Sequence, residues 1–69
     1  MVKNVSNLEY YRRLRGLTQQ DLSEMSAVTQ TMISVYESKP ELLKHCSYER
    51  LKRIANVLGI SVEKLVGGK

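Results

Sequence analysis

The stretch Leu17-Thr18-Gln19-Gln20-Asp21-Leu22-Ser23-Glu24, followed after Met25-Ser26-Ala27 by Val28-Thr29-Gln30-Thr31-Met32-Ile33-Ser34-Val35-Tyr36-Glu37, is dense in local structural signals. Thr18 and Asp21 have the spacing of a capping box, in which hydroxyl and carboxylate satisfy free amides at a helix start, and Leu17 stands at the hydrophobic-staple position. Leu22 and Met25 then give a short apolar stripe, so a helix of about seven residues is expected. Ser26-Ala27-Val28 breaks it. Thr29 can cap a third helix that carries Ile33 and Tyr36 at i, i+3 and ends near Ser38-Lys39-Pro40, because a residue before proline is biased away from helical geometry. Two short helices with a tight break between them are the outcome.

Working outward, Ser6-Asn7-Leu8-Glu9 offers another capping box, Leu8 and Tyr11 follow on one face, and Arg12, Arg13 and Arg15 suit the negative end of the helix dipole. Gly16 supplies a left-handed stop, which predicts a helix over 7–15. On the other side, residues 39–47 read as a polar, basic connection. Ser47 starts a helix with Leu51, Ile54, Ala55 and Leu58 at i, i+3, i+4, i+7. Gly59 ends it, and Ser61 caps a last turn or two carrying Val62, Leu65 and Val66. The expected architecture is all-α, a compact bundle of five short helices in one domain over 1–69, with 1–6 as an arm and 67–69 as a tail. None of these helices would persist alone in water.

A chain of 69 residues buries only about 60% of the surface its unfolded form exposes, which argues against a deep catalytic cleft. One cysteine, Cys46, precludes an internal disulfide, and one cysteine with one histidine does not make a metal cluster. His45 and Cys46 read as incidental loop residues. No apolar run approaches a membrane span, and no secretory-type start is visible, so a soluble, reduced, cytoplasmic protein is expected. The net charge of +4 is uneven: +3 over residues 1–17, −3 over 18–38 and +4 over 39–69. The central helix pair is acidic, so attraction to an anion must come from its flanks and from helix N-termini.

Together with Leu51-Lys52-Arg53-Ile54-Ala55-Asn56-Val57-Leu58-Gly59-Ile60-Ser61-Val62-Glu63-Lys64-Leu65, these stretches resemble the lambda repressor/Cro-type (XRE) family of helix-turn-helix DNA-binding domains, from about Leu8 to Val66. The resemblance implies that helices 2 and 3 form the helix-turn-helix and that residues 30–37 enter the major groove. Gln30, Thr31, Ser34 and Val35 match base-facing positions, where amide and hydroxyl groups can bond base edges and methyls can meet thymine. Thr18 and Gln19 match phosphate-contacting positions, with Gln19 packing beside Gln30, and Lys39 and Lys44 are further phosphate candidates, joined by Lys3 or Arg13. Arg12 and Glu37 match a pair of charges that form a salt bridge. Met32 is expected to be exposed beside this face, either meeting a base, or merely tolerated or packing on a partner.

The same resemblance implies a bacterial, DNA-associated regulator, most simply a phage or prophage type repressor, that binds a double-stranded operator as a homodimer. Val57, Val62, Val66 and Leu65 are dimer candidates, with Leu65 better read as core. No enzyme activity, cofactor, membrane partner or small-molecule substrate is expected. The alternative is a protein-interaction module on the same fold, such as an antitoxin or a coactivator domain. The chain departs from the family in three places. Ala27 replaces the usual turn glycine, Ser23 and Ser26 replace packing residues whose space Met25 or Val28 could fill, and the step from Glu37 to Leu51 is long. Its extra residues, around Leu42 to Cys46, could extend a loop or add a helical turn.

Overall fold

A computed structural model describes residues 5–67, which form six helices in the order α1 (Asn7–Leu14), α2 (Gln19–Ser26), α3 (Gln30–Ser38), α4 (Pro40–Leu43), α5 (Tyr48–Leu58) and α6 (Val62–Leu65). Five of them begin at a Ser or Thr whose hydroxyl accepts a backbone amide three residues on: Ser6 from Glu9, Thr18 from Asp21, Thr29 from Met32, Ser47 from Arg50 and Ser61 from Lys64. Each such cap satisfies one of the donors a helix start leaves free. The Thr18 box is complete, with the Thr18 amide donating to Asp21 Oδ2 at 3.0 Å. At Ser6 only the hydroxyl half forms, and the Glu9 carboxylate pairs with Arg13 at 2.7 Å.

Leu8, Leu22, Ile33, Leu43, Ile54, Leu58 and Leu65 are each buried to within 2% and make one core to which all six helices contribute. The expected five helices are thus corrected to six. The extra one, α4, has Pro40 in its first turn, where a missing amide costs nothing, and it drives Leu43 into the core beneath the end of α3. The connection over 39–47 is therefore not simply polar.

Two further expectations are corrected by burial. Met25 does not continue the stripe of Leu22; it is 59% exposed, and Val28 is the residue that fills the core beside the turn. Met32 is half-buried against the core rather than free beside α3. Val57, Val62 and Val66 are likewise half-buried against the core, and Leu65 belongs to it. Ser26 is accommodated in place of an aliphatic residue because its hydroxyl donates to Leu22 O at 2.7 Å and its carbonyl accepts from Arg53 Nε at 2.9 Å, which leaves no polar group orphaned.

Ala27 ends α2 in the left-handed region, φ 61° and ψ 31°, so the turn keeps a glycine-like shape without glycine. Gly59 ends α5 in the same conformation at φ 71°, where the backbone favours glycine; the nearest atoms to a Cβ there belong to the tip of the exposed Arg15 side chain, which can swing aside. The two ends of the helical body meet where Asn7 Nδ2 donates to Lys64 O at 2.8 Å.

Candidate nucleic-acid interface

Helix α3 has two unlike faces. Ile33 and Tyr36 are buried, with Met32 partly so, while Gln30, Thr31, Ser34 and Ser38 are exposed and Val35 lies at the margin. Thr29 starts this helix so that its first exposed turn presents an amide and a hydroxyl side by side. Gln30, Thr31, Ser34 and Val35 line one shallow depression, and Gln19 from the first turn of α2 completes it. Gln19 and Gln30 are brought to the same depression, but the hydrogen bond of the Gln19 amide goes elsewhere, from Nε2 to Glu37 Oε1 at 3.0 Å.

A second, more polar cleft adjoins the first and shares Gln19 and Ser34 with it; Glu9, Arg12, Arg13, Glu37 and Ser38 form the rest. Arg12 and Glu37 meet here as a two-point pair, Nε to Oε2 at 2.6 Å and Nη2 to Oε1 at 3.1 Å, and Arg12 Nη1 also donates to Leu17 O at 2.8 Å. The pair ties α1 to the last turn of α3 and to the residue before the α2 cap. The hydrogen bond to Glu37 raises the Arg12 pKa above its usual range against the opposing effect of burial, so the guanidinium stays charged. Charge and hydrogen bonding are both satisfied, which is what a buried ion pair needs to hold.

The other residues singled out in the sequence fall in different places. The Thr18 hydroxyl is taken up by the Asp21 amide. Lys39 is exposed directly beyond α3, its amide donating to Val35 O at 2.8 Å. Lys44 is exposed too, but it lines a separate cleft between α4, the start of α1 and the end of α6, together with Asn7, Leu8 and Leu65. Arg13 flanks the polar cleft, engaged with Glu9. Lys3 lies outside the described residues.

Two partnerships near the interface escape a reading of the sequence. One is Gln19 with Glu37. The other is Arg50, whose Nη1 donates to the Tyr36 hydroxyl at 3.0 Å, a bond that raises the Arg50 pKa above its usual range. Both join residues 14 or more apart across a helix crossing, where no local spacing signals the contact.

The family model for helix-turn-helix proteins matches residues 8–65, nearly the whole chain. The chain belongs to the lambda repressor/Cro-type (XRE) helix-turn-helix family. Searches of curated proteins and of solved structures each found no match. For an XRE-family chain, α2 and α3 are the helix-turn-helix and the depression on α3 lies on its second, recognition helix. The family is one of DNA-binding regulators, and among the described residues of this XRE domain no helix is long and apolar enough to cross a membrane.

Proposed function

We propose that the protein is a sequence-specific regulator of transcription, of phage or prophage repressor type, which binds a double-stranded operator as a homodimer in the bacterial cytoplasm. Gln30, Thr31, Ser34 and Val35 contact base edges in the major groove. Lys39, Lys44 and the free first-turn amides of α2 following Thr18 hold phosphates, the amides because a helix start leaves them unpaired and polarised toward an anion. Arg12 and Glu37 hold the two helices in register for this task. No cofactor takes part.

The observation that carries this reading is the exposed polar row on α3, set within the helix-turn-helix that the family model matches. No lysine or arginine lies between Thr18 and Ser38, so sequence reading rests on uncharged side chains and attraction rests on the flanks. The test is a competition gel shift with a duplex enriched from a random library. Replacing Gln30 and Thr31 together by alanine abolishes the preference for the enriched duplex and leaves weak binding that salt disrupts. Undiminished preference in the double variant would count against these residues as readers.

A second reading is favoured by one feature. Val5, Tyr10 and Leu14 are 41%, 51% and 65% exposed and form an apolar patch with Arg13 on the outside of α1. Such a patch suits a protein-interaction module. That reading calls for a stoichiometric protein partner together with no duplex binding at low salt.

A further inference from the structure

Val5, Tyr10 and Leu14 are exposed and share one hollow with Arg13 on the outside of α1. Among the described residues the other exposed large apolar side chains, Met25, Leu42 and Tyr48, stand on three different helices. The Tyr10 ring is set edge-on to Tyr11, centroids 5.0 Å apart, and Tyr11 packs against the core. A ring already held in place loses little freedom when something covers it. Val57, Val62 and Val66, for which the family resemblance implied a dimer contact, are by contrast packed against their own core. A charged pair borders the α1 patch: Arg13 Nη2 donates to Glu9 Oε2 at 2.7 Å, and Arg13, at 67% exposed, has donors to spare.

We propose that the outer face of α1 is the surface through which two copies of this chain meet, antiparallel about a dyad that runs toward the DNA. In such a contact residue i of one copy meets residue j of the other, and j meets i. Glu9, Tyr10, Arg13 and Leu14 are complementary to themselves in that arrangement: Tyr10 covers Leu14 of the second copy, Arg13 reaches Glu9 of the second copy, and each contact is made twice. A dyad at right angles to both helices also leaves the matching flanks of the two copies on one side. The flank marked by Arg13 leads through the polar cleft, which shares Gln19 and Ser34 with the reading depression. Both reading surfaces then face the same way, as two half-sites of one duplex require. Eight residues make about 12 Å of helix, too short for the roughly 1,200 Å² or more of a stable interface. The copies therefore associate weakly in free solution and are held together on DNA, where occupation of one half-site raises the effective concentration at the other. This inference rests on the homodimer proposed above and names its surface.

The experiment has two arms. In the first, NMR spectra of the chain without DNA are followed on dilution, and the resonances of Val5, Tyr10, Arg13 and Leu14 are expected to move. Tyr10→Ser with Leu14→Ser, both at exposed positions, weakens the association by about fivefold or more, with circular dichroism unchanged. Arg13→Glu and Glu9→Arg each weaken it, and the two together restore it, which only a reciprocal contact between copies does. Spectra in which α1 does not respond to dilution, or a serine variant that associates like the unaltered chain, would overturn the proposal. Binding of a different protein to this face without self-association would do the same. The second arm titrates a duplex enriched from a random-sequence library, carrying two half-sites, and its single half-site. The serine variant keeps its affinity for the single half-site within about twofold and loses about tenfold or more on the pair. Undiminished binding of the pair by that variant also counts against the α1 contact. If the unaltered chain enriches no duplex, the DNA-reading proposal fails, and the first arm still decides the contact. Should a charge variant unfold, the serine variant decides alone.

Discussion

Replacing Arg12 by methionine would leave Glu37 buried with a single amide for company. Breaking a buried pair from one side costs about 3–5 kcal/mol, because the remaining charge keeps its desolvation penalty without its partner. The double replacement, Arg12→Met with Glu37→Leu, is expected to be more stable than Arg12→Met alone in urea unfolding; a less stable double variant would contradict this account. Ala27 presents the opposite case, a residue whose backbone is strained. Ala27→Gly relieves a left-handed alanine and is expected to stabilise the chain by up to about 1 kcal/mol. For a domain of this size that is a rise of roughly 4–8 °C in the melting temperature, readable by circular dichroism. The turn was legible because alanine stands where the family carries glycine. The Gln19 to Glu37 bond was not, because it depends on how α2 crosses α3 and no spacing along the chain encodes that.

At the scale of the helix, legibility follows locality. A Ser or Thr cap acts over three residues, so all five capped starts could be read from the sequence. The long α5 was equally plain, since Leu51, Ile54, Ala55 and Leu58 mark one face without ambiguity. Short helices give no such certainty. Two apolar residues in α2 do not fix its rotation, and Met25 turned out to face away from the core while Ser26 faced in. Helix α4 has four residues, no side-chain cap and charged neighbours, so only its buried Leu43 reveals it as structure. Leu43→Ala is therefore expected to cost about 2–5 kcal/mol, as for other leucines deleted from a close-packed core, whereas Leu42→Ala, at a position 41% exposed, costs far less. Equal losses in denaturant titrations would mean that α4 is not anchored as described.

Across the whole molecule the charge distribution is uneven, and on the proposed function it separates holding from reading. The uncharged face of α3 is flanked by basic segments, of which Lys39 is the nearest in sequence. Lys39→Ala is expected to weaken binding to all duplexes alike and to reduce the slope of log affinity against log salt by about one, with the preferred sequence unchanged. A shift in preference without a change of slope would assign Lys39 to the bases. The molecule measures 34 × 22 × 21 Å. Recognition helices one DNA turn apart lie about 34 Å from each other, so two copies on neighbouring half-sites stand no farther apart than one molecule is long. In the proposed homodimer, direct contact between copies therefore requires their long axes to lie along the line joining the half-sites.

The bond from Asn7 to the Lys64 carbonyl spans 57 residues and closes the helical body into a ring. Closing a loop of this length carries an entropic cost that the packing of α1 against α6 must offset. Once made, it couples the two extremities. Release of α6 withdraws the acceptor that holds the first turn of α1, and release of α1 leaves that carbonyl without its donor. The backbone amides of both helices are accordingly expected to exchange with solvent as one cooperative unit, distinct from the slower centre formed by α2, α3 and α5.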